Sequence, residues 1–151
     1  MAFHREVIIN ASVDEVFRVI STYEFAEQIN GPVVKVDWVS DQPIQEGSEL
    51  KETRGIKGQF ITSVLTVTAF EPNKKFAVKS EQNNLFLHYT YTFSEEVDGI
   101  RVSFNGEITT AGIRNRLYKP LINRIIKKED GDHLEKVKVY IESPKEDLKE
   151  D

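Results

Sequence analysis

Between Val33 and about Ala111 the chain is dominated by Val, Ile, Thr, Phe and Tyr, and a turn signal interrupts it every ten residues or so. The signals are Gln45-Glu46-Gly47, Gly55-Ile56-Lys57-Gly58, Pro72-Asn73, Asn83-Asn84 and Asp98-Gly99. Links this short join antiparallel neighbours, because a parallel return needs a long crossover. The run therefore predicts a six-stranded antiparallel meander over residues 33–41, 48–54, 59–70, 75–82, 85–96 and 99–110. Asp98-Gly99 reads as a type I′ hairpin turn, which needs positive φ at both central positions.

The flanks read differently. Phe3–Asn10 alternates through Val7, Ile8 and Ile9 as a first strand. Ser12 and Glu15 then form a capping box, and Val13, Val16, Phe17 and Ile20 make one apolar helix face. A second short helix carries Phe25, Ala26 and Ile29 and stops at Gly31-Pro32. After Gly112 a long helical pattern runs to about Ser143, and the charged tail 144–151 is expected to be disordered. The order is β-α-α-β6-α, an α+β chain with about seven strands.

At 151 residues the chain fits one domain, large enough to bury roughly 70% of its unfolded surface. It has no cysteine, which excludes disulfide scaffolds, cysteine-based zinc sites, iron–sulfur clusters and thiol catalysis. A net charge of −5 argues against non-specific nucleic-acid binding. The opening Met1-Ala2-Phe3-His4-Arg5 has no charged-then-apolar leader, so a cytoplasmic location is expected.

Several local motifs carry a family resemblance. They are Ala11-Ser12-Val13-Asp14-Glu15-Val16-Phe17, Glu46-Gly47-Ser48, Phe70-Glu71-Pro72, Asp98-Gly99-Ile100-Arg101-Val102 and His133-Leu134-Glu135-Lys136-Val137-Lys138. Their order and spacing resemble the START-like, Bet v 1-like helix-grip superfamily, which includes polyketide cyclases and lipid-transfer proteins. The resemblance spans Val7 to Ile141. It implies a curved antiparallel sheet wrapped around a long C-terminal helix, with residues 1–143 as the domain. It also implies a ligand cavity between sheet and helix, and no universal catalytic residue.

Leu85, Leu87, Tyr89, Tyr91 and Phe93 share one strand face, which is read as inward, leaving His88 outward. Tyr89 and Tyr91 are either ligand contacts or core residues bonded to neighbours. Glu52 and Arg54 share a face with Leu50. They are either an inward pair anchoring a ligand's polar group or a solvated pair at a cavity mouth. Trp38 shares a face with Val34 and Val36 and is read as lining the cavity. With Phe104 on the last strand and Leu117, Leu121 and Ile125 on the long helix, these complete the expected ligand-binding set. For residues 59–70 both faces carry apolar residues, and the inward one stays open.

His4, His88 and His133 are scattered, and no spacing marks a metal site, a phosphate loop or a catalytic triad. No metal or cofactor is implied. From Gly112 to Lys128 the helix carries six basic residues and no acid, opposite and beside a stripe of Ile113, Leu117, Leu121, Ile122, Ile125 and Ile126. That basic face either touches an anionic membrane transiently or is simply solvated. The stripe resumes, rotated, at Leu134, Val137 and Ile141, which suggests a kink with Pro120 and Gly131 as the candidate sites; alternatively Pro120 sits in the first turn of a helix that starts near Lys119.

The expectation is a protein that binds a lipid or aromatic polyketide-like molecule without catalysis, in a cavity of at least about 300 Å³, and a solidly packed interior would count against it. The alternatives are a cyclase or aromatase using Tyr89 or Tyr91 with Arg54, and a chaperone-activating interaction domain.

Overall fold

Strand β1 (Ala2–Ile9) leads into helices α1 (Val13–Ser21) and α2 (Glu24–Ile29). Then come β2 (Val33–Trp38), β3 (Glu49–Ile56), β4 (Gln59–Glu71), β5 (Lys75–Gln82), β6 (Leu85–Glu96) and β7 (Gly99–Thr110), and last α3 (His133–Glu142). This computed structural model describes residues 2–29, 33–39, 42–56, 58–82, 85–110 and 133–143. Helix α3 is the described part of the expected C-terminal helix. The basic half of that helix, with Leu117, Leu121, Ile125, Pro120 and Gly131, lies outside the described residues, as does the tail 144–151.

The strands form one antiparallel sheet in the order β1-β7-β6-β5-β4-β3-β2, so the meander predicted from the turn signals is present and β1 closes onto its last strand. The sheet is open, with β1 and β2 at its edges. Unpaired edges template pairing with other chains, and here a helix side chain engages each one. Glu27 of α2 accepts the Val36 N–H at 2.5 Å. Lys138 of α3 donates to the Ile8 carbonyl at 2.7 Å.

Alternation sends Tyr89, Tyr91 and Phe93 of β6, Val102, Phe104 and Ile108 of β7, and Phe76 and Val78 of β5 into the core. In β4 the register shifts between Val67 and Ala69. Leu65 and Val67 point inward before the shift. Phe70 does so after it, edge-on to Phe17 at 5.4 Å and to Phe76 at 6.3 Å. The bulge therefore brings Phe70 inward from the face opposite Leu65 and Val67, while Phe60 and Val64, before the shift, are apolar residues left exposed on the outer face. A second register shift, between Val33 and Lys35, turns Val34 outward while Val36 and Trp38 pack against the core. The expectation that Val34 shares their face is corrected by that irregularity.

The β6–β7 hairpin also departs from expectation. Glu96 pairs with Gly99, so Val97 and Asp98 form the turn, and Asp98 does not take positive φ. Only Gly99 does, at +144°. Glycine is required there chiefly because a Cβ would drive into the backbone of Ile9, lying 2.9 Å from its carbonyl carbon.

The helices are tied to the sheet and to one another. Ser12 Oγ accepts the Glu15 N–H at 3.2 Å and caps α1, whose Val16, Val19 and Ile20 are fully buried. Leu134, Val137 and Ile141 turn α3 inward. Glu142 accepts the Asn10 N–H at 2.7 Å and pairs with Lys138 at 2.8 Å. The backbone bond, followed by the Lys138 contact, holds its carboxyl below the usual range. The Tyr140 hydroxyl donates to Glu24 Oε2 at 2.6 Å, and that carboxylate pushes the phenol up to about 12. Together these contacts fix where the first residue of α3, His133, sits.

Candidate functional site

On β3, Leu50 is fully buried, and period-2 alternation carries Glu52 and Arg54 to the same inner face. Glu52 is only 7% exposed. A carboxylate taken from water costs several kcal/mol unless it is paired, and Arg54 Nε donates to Glu52 Oε1 at 2.9 Å. The pair therefore lies on the inner face, Glu52 buried and Arg54 part-buried beside it.

The Tyr91 ring is buried, and its hydroxyl lies 2.8 Å from His133 Nε2. His133 stacks on Phe25 at 5.4 Å and meets Phe104 edge-on at 4.7 Å. Sequence reading passed over this histidine. Its signal was positional: it lies four and eight residues before Val137 and Ile141, on the stripe that faces the core.

Tyr23, between α1 and α2, adopts φ +60° although it is buried. This left-handed conformation costs on the order of 1 kcal/mol in a non-glycine residue. It is held by the Tyr23 N–H on Ile20 O at 3.1 Å and by the Ala26 N–H on the Tyr23 carbonyl at 3.0 Å. The result is a ring packed on Phe25 at 5.0 Å and edge-on to Phe76 at 6.3 Å. No sequence signal marks a tyrosine for that conformation.

These side chains converge. Tyr23, Phe25, Glu52, Arg54, Tyr89, Tyr91 and His133 line one inner space of about 20 Å³. That is room for a single water molecule, well short of the 300 Å³ expected for a whole ligand. Its wall holds a guanidinium, two phenols beside a third, a carboxylate and an imidazole, so one oxygen placed there meets both donors and acceptors.

The remaining expected residues are placed as follows. Phe104 is fully buried, 4.8 Å from the Tyr91 ring, and forms the support under Tyr91 and His133. Leu87 is half-buried and packs at the margin of the core. Trp38 is not brought to the cluster: its ring N–H donates to the Thr22 carbonyl at 3.2 Å and ties β2 to the end of α1. Leu117, Leu121 and Ile125 lie outside the described residues.

A larger hollow of about 640 Å³ lies on the opposite, outer face, around Thr68, Ala77, Lys79 and His88. His88 points outward there, as alternation requires, with Nε2 3.1 Å from Thr68 Oγ1. Among the described residues no group of three or more His, Asp or Glu is placed to hold a metal ion. No helix among them is long and apolar enough to cross a membrane.

Comparison with known proteins agrees with this architecture. Ara h 8.0201 superposes with a TM-score of 0.73 at 12% identity, covering 95% of this chain and 99% of that one. The protein TTHA0849 from Thermus thermophilus gives 0.74 at 15% identity, covering 95% and 100%. The di-domain ARO/CYC BexL from the BE-7585A biosynthetic pathway gives 0.76 at 16% identity, and there this chain matches one half, 50%, of the longer protein. No curated protein matches the chain in sequence. The family described as polyketide cyclase / dehydrase and lipid transport matches over residues 1–142. The chain belongs to this family and has the Bet v 1-like helix-grip fold that its motifs resemble.

Proposed function

We propose that this protein binds a small, mainly apolar molecule and holds its polar end in the inner space between β3, β6 and the start of α3. The observation that carries this reading is the convergence of Glu52, Arg54, Tyr91 and His133 on one buried point of an otherwise aromatic inner face. Burying polar groups is costly, and Glu52, Tyr91 and His133 are each more than nine-tenths buried with Arg54 part-buried beside them, so that cost is borne at the one point where a ligand's polar end would be met.

The free space of about 20 Å³ there matches one hydroxyl or carbonyl oxygen in the place of a water, not a whole ligand. The apolar body then extends along Tyr89 and Leu87 of β6. Family membership supports the reading at the level of class, since the family spans both cyclisation and lipid transport.

The test is a ¹H–¹⁵N NMR titration with neutral lipids, flavonoid-like polyketides and quinones. Saturable shifts at Glu52, Tyr89, Tyr91 and His133 are expected. Their absence with every class, in folded protein, would remove this function.

One observation favours a second reading, an enzyme of the cyclase type. The Tyr91 hydroxyl and His133 are hydrogen-bonded within the same space, the arrangement a general acid–base pair needs, and Arg54 would stabilise a developing enolate. Turnover of a poly-β-keto substrate that Tyr91→Phe or Arg54→Ala abolishes would establish it. Unchanged turnover in both variants would exclude this mechanism.

A further inference from the structure

The charges of the inner space narrow the class of ligand. Its one carboxylate and its one guanidinium, among the described residues, are bound to each other through Arg54 Nε and Glu52 Oε1 at 2.9 Å. The Glu52 side chain is 8% exposed and that of Arg54 23%, so water screens this pair weakly. The other polar groups of the wall are phenols and an imidazole held against the Tyr91 hydroxyl.

We infer that the site selects a ligand whose polar end is uncharged, a phenol, alcohol or ketone, and rejects the same apolar body ending in a carboxylate or phosphate. This rests on the binding function proposed above and deepens it. An anionic head entering here loses its hydration, gains from a guanidinium already compensated by Glu52, and is repelled by that same carboxylate. A neutral oxygen loses less hydration and accepts from a guanidinium N–H or a phenol O–H, and a phenol or alcohol also donates to the carboxylate or imidazole. Fatty acids and phospholipids are thereby disfavoured, and neutral hydroxylated or keto aromatics are favoured.

The experiment compares 2-naphthol with 2-naphthoate, two probes of one body and different head charge, titrated into the full chain at pH 7 and followed by ¹H–¹⁵N NMR. The naphthol is expected to bind at least about tenfold more tightly, with shifts at Tyr91 and His133. Glu52→Gln leaves the guanidinium uncompensated at nearly unchanged shape, and naphthoate is expected to gain about tenfold. Should Glu52→Gln fail to fold, Arg54→Gln provides the opposite arm: naphthol binding persists and naphthoate binding is lost. Equal affinities, or tighter naphthoate binding to the unmodified chain at these residues, would overturn the selectivity while leaving the binding function standing. If neither probe nor any uncharged ligand of the wider screen binds, the binding function itself falls, and the selectivity with it.

Discussion

Replacing Gly106 by alanine tests the packing on which the inner face depends. Gly106 lies on β7 between Phe3 of β1 and Tyr89 of β6 in the sheet register. An added Cβ would stand 2.5 Å from Phe3 Cζ and 2.6 Å from Cε1, inside any real carbon contact. The ring cannot easily withdraw, because Phe3 is 6% exposed and packs edge-on against Phe104 at 5.7 Å and Tyr89 at 6.4 Å. Overpacking of this kind costs about 1–3 kcal/mol. The gain of about 0.5–1 kcal/mol that alanine brings by restricting the unfolded chain offsets part of it.

The expected net loss is about 1–2 kcal/mol, read as a drop in Tm of roughly 2–8 °C for a chain of this length. Urea denaturation of Gly106→Ala, Phe3→Leu and the double variant measures it. In the Phe3→Leu background, where the ring is gone, the alanine should cost less than about 0.5 kcal/mol, a coupling of about 0.5 kcal/mol or more. An equal cost in both backgrounds would refute the argument, since the loss would then not arise from the Phe3 ring.

Three further outcomes are expected. Tyr91→Phe removes the hydroxyl on His133 and should lower stability by about 1–3 kcal/mol in urea melts, through a buried imidazole deprived of that partner; a neutral variant would mean the bond contributes nothing. Gly99→Ala forces a side chain into the Ile9 backbone at a positive φ and should cost at least about 2 kcal/mol, more than alanine at Gly47, where a Cβ meets nothing within 4 Å. On the outer face, the Asn105 side chain, then the Glu6 carboxylate, raise the His4 pKa above 6.5. The contribution of His4 to stability is therefore full below pH 6.5 and lost as pH rises through its raised folded value. Asn105→Ala should return the His4 titration toward 6.5 in ¹H NMR, and an unmoved titration would contradict the assigned cause.

How far the sequence reaches is decided by which rules act locally. The meander was legible because each turn carries its own signal, and the inner row of β6 because burial alternates through Tyr89, Tyr91 and Phe93. The faces of β2 and β4 were not, because a single-residue register shift reverses alternation and leaves no compositional mark. Glu52 and Arg54 were legible as sharing a face with Leu50, but their burial depends on the partner each finds in the other. His133 was obscured by an adjoining acidic run, Glu129-Asp130-Gly131-Asp132, although its spacing to Val137 and Ile141 places it on the inward stripe. Tyr23 and the tie of Trp38 to Thr22 are tertiary outcomes, set by the α1–α2 corner.

The inner polar point and the outer hollow of about 640 Å³ are rival places for a bound molecule. Intermolecular NOEs between ¹³C-labelled protein and a saturating neutral aromatic ligand distinguish them directly. The account predicts contacts to the rings of Tyr89, Tyr91 and His133, abolished by Tyr91→Phe combined with Arg54→Ala. Contacts confined to Thr68, Ala77, Lys79 and His88, unaffected by those substitutions, would contradict it.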